Sequence, residues 1–308
     1  MRPAPGILLV DKPGGITSHD VVSRARRAFG TRKIGHAGTL DPMATGLLVL
    51  GVEGATRLLT YLVGLDKTYE TTIRLGVRTT TDDAEGEVVE TASSDALAAV
   101  DEAAVRAGVA RLTGRISQVP STYSAIKVDG KRAYDLARAG QEVALKAREV
   151  TIERFEVRDV RRATRGDGGA AIDVDAVVDC SSGTYIRALA RDLGAMLGVG
   201  GHLTMLRRTR IGPFDLADAR SLDELSADRD PVAALIPPAA AAGRVLGRLD
   251  VDAAEAADLR HGKRLAGAAA RLGGAFAAAI DPSGALVGIV ERRGDAIKSV
   301  MNMPEEQS

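Results

Sequence analysis

Short apolar runs and segments of helical periodicity follow one another along residues 6–211, with no regular alternation of strand and helix. Apolar or alternating runs bounded by glycine and proline are typical of strands, and apolar residues three and four apart are typical of amphipathic helices. The predicted strands are residues 6–11, 47–52, 68–75, 149–160, 172–178 and 203–211, and the predicted helices are residues 19–29, 55–63, 95–112 and 185–197. Such a mixture, without a βαβ repeat, favours an α+β fold.

The first predicted helix, residues 19–29, has a clear signal at each end. Ser18 precedes it and is a suitable N-cap, because its hydroxyl can accept a hydrogen bond from a free amide of the first turn. Gly30 follows it, and glycine commonly ends helices. We therefore expect a capped helix directly after the first strand.

A domain boundary is predicted near residue 238, where Ile236-Pro237-Pro238 is followed by four alanines. The segment beyond it has its own pattern, with a helix-like stretch at 251–260 and strand-like stretches at 272–280 and 285–291. We predict one domain over residues 1–238 and a small β-rich domain over residues 244–302.

Composition excludes several classes of protein. Of the 308 residues, 45% are hydrophobic and 27% charged, which is ordinary for a globular chain, and no apolar run approaches the ~18 residues of a membrane span. No secretory signal is visible at the N-terminus. Cys180 is the single cysteine beside four histidines, so neither a disulfide nor a usual zinc site is expected. We expect a cytoplasmic, metal-free protein.

The net charge of zero hides an uneven distribution. Residues 82–102 contain eight acidic side chains and no lysine or arginine, whereas residues 126–165 contain eleven basic and seven acidic ones. A local basic surface is what contact with phosphate groups requires, so nucleic acid is compatible with this chain. Ordinary solvated surfaces explain the same charge runs equally well.

A glycine-rich polar loop, residues 35–46, connects the first helix to an apolar strand. Asp41 lies in its middle, and Pro42 after it disfavours helix at Asp41 and favours a turn. Taken alone, Asp41 is more simply explained as a turn residue, because Asp-Pro turns are common. The loop lacks the Gly-Lys-Ser/Thr of nucleotide hydrolases.

Several blocks, taken together and in order, resemble the TruB family of tRNA pseudouridine synthases over residues 6–215. The first is GHAGTLDPMATGLL at residues 35–48. The others are DKTYE (66–70), LG (75–76), TDDAEG (81–86), QVPSTYSAIK (118–127), CSSGTYIR (180–187), GGHL (200–203) and LRR (206–208). Each block alone is weak, but five or six in this order are specific.

The resemblance implies a pseudouridine synthase fold, with a central mixed or antiparallel sheet flanked by helices. It implies isomerisation of a T-loop uridine of tRNA, at position 55, with Asp41 as the nucleophile. Arg187 would pair with Asp41, and Tyr69 would pack on the uracil and is a candidate base toward the sugar. The same resemblance places Tyr185 and Leu206 in the uracil pocket and gives His36 a contact with the substrate.

The reaction breaks one carbon–nitrogen bond and forms one carbon–carbon bond within the same nucleotide, so no cofactor is expected. By resemblance, the basic insertion at about 127–148 is a thumb that folds over RNA, with Lys127, Lys131 and Arg132 as its RNA-binding residues. The C-terminal domain looks like a PUA-type RNA-binding domain, and a packing appendage is the alternative.

The expected partner is the T-arm of tRNA, bound by a monomer without membrane or guide RNA. Two other functions share these motifs. A guide-RNA-dependent synthase subunit generally lacks the long insertion. A non-catalytic tRNA-binding or tRNA-folding protein would not need Asp41, Tyr69 and Arg187 intact.

Overall fold

A computed structural model describes residues 3–122, 127–128, 131–132, 145–227 and 230–304 of the protein. The helices are α1 (Ser18–Phe29), α2 (Leu59–Val63), α3 (Ser94–Ala98), α4 (Glu102–Arg111), α5 (Ile186–Met196), α6 (Leu222–Ala227), α7 (Pro238–Leu246) and α8 (Ala253–Arg260). Short 3-10 helices lie at Glu53–Leu58, Leu216–Asp218, Pro231–Ala234 and Ala269–Arg271.

The strands up to residue 132 are β1 (Gly6–Lys12), β2 (Ile34–Ala37), β3 (Thr45–Val52), β4 (Lys67–Leu75), β5 (Val77–Thr79), β6 (Val88–Thr91), β7 (Gly114–Gln118), β8 (Lys127–Val128) and β9 (Lys131–Arg132). Those that follow are β10 (Arg148–Thr164), β11 (Ala170–Cys180), β12 (Gly201–Ile211), β13 (Phe214–Asp215), β14 (Arg220–Ser221), β15 (Arg248–Asp250), β16 (Phe276–Ile280), β17 (Leu286–Arg293) and β18 (Ala296–Asn302).

The chain divides into two compact units. The first contains residues 1–42, 46–63 and 211–308, and the second contains residues 43–45 and 64–210. Both units are mixtures of sheet and helix.

In the first unit, strand β3 is the centre of a small sheet. Strand β1 pairs with it antiparallel, from Gly6 opposite Val52 to Lys12 opposite Gly46. Strand β2 also pairs antiparallel with β3, at its C-terminal end, from Ile34 opposite Val52 to Ala37 opposite Val49. Strand β14 pairs with β1 in parallel. This sheet is therefore mixed.

Helix α1 covers this sheet, with Val21, Val22, Ala25 and Phe29 in a buried cluster with residues of β1 and β3. Its N-cap is Thr17, whose hydroxyl accepts from the Asp20 amide in a capping box, and its C-cap is Gly30 at φ 62°. The prediction of Ser18 as the N-cap was wrong by one residue. The Ser18 side chain is instead buried and bonds to Leu40, because the loop after β2 returns to this point.

The C-terminal part of the first unit has a sheet of its own, in the order β15-β16-β17-β18. Helix α8 packs on β17 and β18, and a separate apolar cluster from Leu249 to Ile297 lies beneath it. This sheet is fixed to the N-terminal part of the same unit. The rings of Tyr61 and Phe276 lie 5.8 Å apart edge to face, and Arg57 Nη1 donates to the carbonyl of Asn302 at 2.6 Å.

The second unit has a sheet in the order β12-β4-β11-β10-β7. Strand β11 is antiparallel to both β4 and β10, and β10 is antiparallel to β7. Helix α5 packs on β4 and on α4, and α4 packs on β10. A Cβ atom at Gly194 of α5 would lie 2.2 Å from the Gly201 nitrogen, so only glycine allows this backbone contact at the start of β12.

The α+β prediction is confirmed, and most predicted elements have their observed counterparts within a few residues. Two predicted helices are interrupted. Residues 55–63 divide into a 3-10 helix and α2. Residues 95–112 divide into α3 and α4, because the Asp101 carboxylate accepts from the Ala104 amide and caps a new helix.

The domain boundary at 238–244 stays a prediction. Within the described ranges, no helix has both the length and the apolar character needed to cross a membrane.

Candidate active site

The loop that carries Asp41 is fixed through the residue before it. The Ser18 hydroxyl accepts from the Leu40 amide at 2.8 Å and donates to the Leu40 carbonyl at 3.1 Å. Both groups are buried, where such hydrogen bonds are not exchanged easily for water. The start of α1 thereby holds the main chain at Leu40, and Asp41 follows it half-buried.

The residue after Asp41 is fixed as well, by a buried lysine. The ammonium of Lys12, which has no exposed surface, donates to the carbonyls of Pro13 at 2.9 Å, Ile16 at 2.7 Å and Pro42 at 3.2 Å. The Gly15 amide also donates to the Pro42 carbonyl, at 2.9 Å. Lys12 therefore closes the turn after β1 and joins it to the loop of Asp41.

This arrangement predicts a stability effect for Lys12→Met, which keeps the length of the side chain and removes its donors. The three carbonyls would lose a buried partner, so we expect the free energy of unfolding to fall by about 1–3 kcal/mol. Urea unfolding followed by circular dichroism measures it. Lys33→Met is the matched control, since the Lys33 side chain is 65% exposed. An equal fall in the free energy of unfolding of the two variants would contradict the structural role given to Lys12.

In the second unit, Tyr69 and Leu206 lie on the neighbouring strands β4 and β12. Both are buried, with 7% and 5% of their surface exposed, and Tyr69 is opposite Val178 of β11. The Thr71 hydroxyl donates to the Met205 carbonyl at 2.8 Å and joins the two strands at this level. Tyr69 is therefore held where little of its surface faces water.

Tyr185 precedes α5 and is positioned by one amide side chain. Gln118, at the end of β7, accepts from the Tyr185 amide at 2.9 Å and donates to the Tyr185 carbonyl at 3.1 Å. Gln118 has 1% of its surface exposed, so this two-way bond is sheltered from water. The start of α5 is thereby fixed relative to β7.

Arg187, in the first turn of α5, is 4% exposed and is held by the loop after β5. Its Nη1 donates to the carbonyl of Thr81 at 2.8 Å and lies 3.3 Å from Oδ2 of Asp83. The other oxygen of Asp83 accepts from the Thr81 hydroxyl at 2.5 Å and from the Glu85 amide at 3.1 Å. A buried guanidinium with a fixed carboxylate partner has a defined direction.

Burial also shifts the pKa of two neighbouring side chains, Lys67 on β4 and Cys180 on β11. Burial lowers the pKa of Lys67 to about 8, with the positive charge of Arg208 acting in the same direction, and the Lys67 ammonium donates to the Leu65 carbonyl at 2.6 Å. Burial raises the pKa of the Cys180 thiol, opposite Lys67 in the sheet, to about 11. Cys180 is therefore protonated at neutral pH, and the thiolate, which is the nucleophilic form, is not favoured.

Family models match nearly the whole chain in three consecutive segments. Residues 26–186 match the model of the TruB family pseudouridylate synthase, N-terminal domain, which is more than half of the chain. The chain belongs to the TruB family. Residues 187–242 match the tRNA pseudouridylate synthase B C-terminal domain, and residues 246–304 match the tRNA pseudouridine synthase II C-terminal model.

Relatives of the TruB family extend the match over the full length. The tRNA pseudouridine synthase B of Leifsonia xyli subsp. xyli is 57% identical, over 98% of this chain and 97% of the relative. That of Arthrobacter sp. (strain FB24) is 54% identical, over 96% of this chain and 95% of the relative. The match to these two relatives therefore spans nearly the full length of each chain.

Two solved structures share the fold. One is an H/ACA RNP bound to a substrate RNA containing 2'-deoxyuridine, with a TM-score of 0.70 at 23% identity over 97% of this chain and 85% of that chain. The other is a Cbf5-Nop10-Gar1 complex, with a TM-score of 0.67 at 24% identity over 98% of this chain and 84% of that chain. At this identity the likeness concerns the fold alone, and it confirms the pseudouridine synthase fold.

The residues predicted from the TruB resemblance are distributed over both units. His36 on β2 and Asp41 belong to the first unit, and Tyr69, Tyr185, Arg187 and Leu206 belong to the second. The backbone of Lys127 and that of Arg132 are opposite each other in the antiparallel pair of β8 and β9, as are those of Val128 and Lys131. The rest of the predicted thumb up to residue 144 lies outside the described residues.

The sequence assigns no role to Lys12, which follows the first predicted strand, nor to Thr81, Asp83 and Gln118, which lie in blocks that resemble the TruB family. The only visible signal in the sequence is the pair of adjacent aspartates in TDDAEG, at residues 82 and 83. Only the fold shows which of them are buried, and what they hold.

Proposed function

We propose that this protein isomerises the uridine at position 55, in the T-loop of tRNA, to pseudouridine. The observation that carries the proposal is the 57% identity, over almost the whole length of both chains, to a protein named tRNA pseudouridine synthase B. The product is an isomer of the substrate. The N1–C1′ bond breaks, the uracil turns, C5 bonds to C1′, C5 loses its proton and N1 gains one.

In this proposal Asp41 is the nucleophile, acting on the uridine once it has been extruded from the T-loop. Extrusion costs a few kcal/mol, which contacts to the rest of the RNA must offset. The support for Asp41 is its place in the family motif and the way its neighbours Leu40 and Pro42 are held. A carboxylate in a fixed main chain loses little conformational freedom when the substrate arrives.

Arg187 is proposed to pair with Asp41 and keep it ionised, since an adjacent guanidinium favours the charged form of a carboxylate. Its buried bonds to Thr81 and Asp83 support a role that requires a fixed direction. Tyr69 is proposed to pack on the uracil, with its hydroxyl as a candidate base toward the sugar. Tyr185 and Leu206 would line the uracil pocket, and His36 would contact the substrate.

The insertion after residue 126 is proposed as the thumb, with Lys127, Lys131 and Arg132 contacting RNA phosphates. We further propose that the protein acts as a monomer in the cytoplasm and without a guide RNA. The length of the insertion supports this over a guide-dependent subunit, and the intact Asp41, Tyr69 and Arg187 support an enzyme over a protein that only binds or folds tRNA.

One experiment tests activity, position and guide independence together. An unmodified tRNA transcript is incubated with the purified protein alone, and pseudouridine is mapped by chemical modification and primer extension. We expect one new pseudouridine, at position 55 of the T-loop. Formation only after a guide RNA is added would support the guide-dependent alternative, and binding without any pseudouridine would support the non-catalytic one. A transcript with cytidine at that position is the control.

The C-terminal segment from residue 244 to 302 is proposed as a PUA-like RNA-binding domain. Lys263 and Arg293 support this, because their side chains are 65% and 60% exposed. Replacing both by alanine should weaken tRNA binding several-fold and reduce the salt slope of log K by about 1–2, since each phosphate contact contributes about 0.7–0.9 to that slope. The rate at saturating tRNA should stay unchanged.

Filter binding over a range of salt concentrations measures this effect. Arg106→Ala with Arg111→Ala removes two basic side chains from the surface of α4 and is the matched control. Equal affinity of wild type and the Lys263/Arg293 variant at every salt concentration would contradict an RNA-binding role at these positions.

A further inference from the structure

Asp82 lies between the two residues that hold Arg187, and it has an unusual backbone conformation. The Thr81 carbonyl accepts from Arg187 Nη1 at 2.8 Å, and the Asp83 carboxylate lies 3.3 Å from the same nitrogen. Asp82 itself has φ +60°, in the left-handed region, where asparagine and aspartate are enriched among residues other than glycine. Rotation about the Asp82 backbone would therefore move both partners of Arg187.

The Asp82 side chain is anchored in its own right. Its carboxylate accepts from the Ser121 hydroxyl at 2.7 Å and lies 3.5 Å from Nη1 of Arg191, and the residue is 8% exposed. Its carbonyl accepts from the Leu203 amide at 3.0 Å. The conformation of Asp82 is thus determined by contacts to the end of the β7 segment, to α5 and to β12.

Two adjacent aspartates contact two arginines that lie one helical turn apart. Asp83 pairs with Arg187 and Asp82 with Arg191, and residues four apart lie on the same face of a helix. Arg191 is also held at the far side, because its Nη2 donates to the Val119 carbonyl at 2.7 Å. The loop of residues 81–83 and the first turns of α5 are therefore joined at two points.

We propose that Asp82 is a positioning residue for the isomerisation, which fixes the conformation of residues 81–83 so that Thr81 and Asp83 direct the guanidinium of Arg187. The proposal rests on the proposed function, in which Arg187 orients the nucleophile. Asp82 acts through Arg187 and does not touch the substrate. Its removal is therefore expected to slow the chemical step and to leave tRNA affinity unchanged.

The charge of Asp82 gives this role a measurable pH dependence. Burial raises the pKa of Asp82, while the Ser121 hydroxyl and the charges of Arg191 and Arg187 lower it and Asp192 raises it further. Because the folded pKa lies above the unfolded one, the folded state binds the proton more tightly. The contribution of Asp82 to stability falls as the pH rises through that window, and the ionised carboxylate costs free energy of folding above it.

The variant Asp82→Asn distinguishes an effect on the rate of the reaction from an effect on the stability of the fold. Asparagine tolerates the left-handed backbone and carries no charge, so the melting temperature above pH 7 should stay equal or rise. The single-turnover rate of pseudouridine formation should fall about tenfold, a smaller loss than the ~10²-fold that a misplacement of about 1 Å can cause. Ser121→Ala should slow the reaction in the same direction. The control Asp192→Asn removes the other carboxylate beside Arg191, at 2.8 Å, and should react as wild type does.

The pH profile supplies the decisive comparison. Below the pKa of Asp82 the wild-type carboxyl is neutral like the asparagine amide, so the ratio of the wild-type rate to the Asp82→Asn rate should fall towards one as the pH is lowered. In Ser121→Ala the loss of a donor to the carboxylate should raise the pKa of Asp82 and shift this fall to higher pH.

The proposal is overturned if Asp82→Asn and Ser121→Ala react within twofold of an active wild type. It is overturned as well if their loss of rate equals their loss of folded protein, or if the rate ratio is the same at every pH. A wild-type protein that forms no pseudouridine on the tRNA transcript would overturn the proposed function and this role with it. The two failures are therefore distinguishable in the same set of assays.

Discussion

Asp41→Asn is expected to abolish pseudouridine formation, with a single-turnover rate lower by on the order of 10³-fold or more, as is typical when a covalent nucleophile is removed. The asparagine amide has nearly the shape of the carboxylate and lacks its charge, so it neither attacks carbon nor stabilises positive character at C1′. The dissociation constant for tRNA should stay within about threefold, because affinity for RNA is dominated by contacts to its many phosphates. Pseudouridine mapping and filter binding measure the two quantities.

The matched control is Asp159→Asn, on strand β10, whose side chain is 59% exposed. It removes the same charge from the surface and should react as wild type does. Turnover of Asp41→Asn near the wild-type rate would exclude Asp41 as the nucleophile. A parallel loss of binding would show instead that the variant no longer presents a folded site.

Arg187→Lys is expected to reduce the single-turnover rate by about 10²-fold, the scale of a misplaced catalytic group. Lysine keeps the positive charge but is a point donor on a flexible stem, and it cannot reproduce the planar fork of a guanidinium. It could not contact Thr81 and Asp83 at the present distances and also be directed at a second carboxylate. Removing the charge altogether would leave the buried Asp83 without its cationic partner, which costs about 3–5 kcal/mol, so lysine is the more informative substitution.

The same change at Arg106, an exposed residue of α4 that pairs with Glu102, is the control for arginine-to-lysine substitution in general. Its rate should be that of wild type. A rate for Arg187→Lys within threefold of wild type would mean that positive charge alone is sufficient at this position, and the role of a fixed direction would have to be abandoned.

The sequence predicts the elements whose cause is local. Strands β1 and β3 are nearly continuous apolar runs, and α1 has an apolar face and a glycine at its end. The misses have a different cause. Strand β18 was not predicted, because apolar and polar residues do not alternate regularly along it. It exists because β17 offers it an edge to pair with.

In the candidate site, too, the sequence predicts what is local and not what depends on contacts far apart in the chain. Asp41, Tyr69 and Arg187 were identified through family motifs, which record their chemistry but give no contacts. The partner of Arg187 could not be found by spacing, because Thr81 lies 106 residues before it in the chain. That pairing follows from the placement of α5 beside the loop after β5, a long-range property of the fold. The burial of Lys12 is equally invisible in the sequence, where this lysine directly follows the first predicted strand.

The main chain of Leu40 and that of Pro42 are held by bonds to Ser18 and Lys12, and a change of side chain at position 41 removes none of these bonds. An inactive variant at position 41 should accordingly retain the wild-type fold of this loop. Immobilised on a resin, such a variant becomes a reagent that captures substrates without converting them. The tRNAs that it retains from cells lacking the active gene, identified by sequencing, would show which tRNAs the protein binds before any of them is converted.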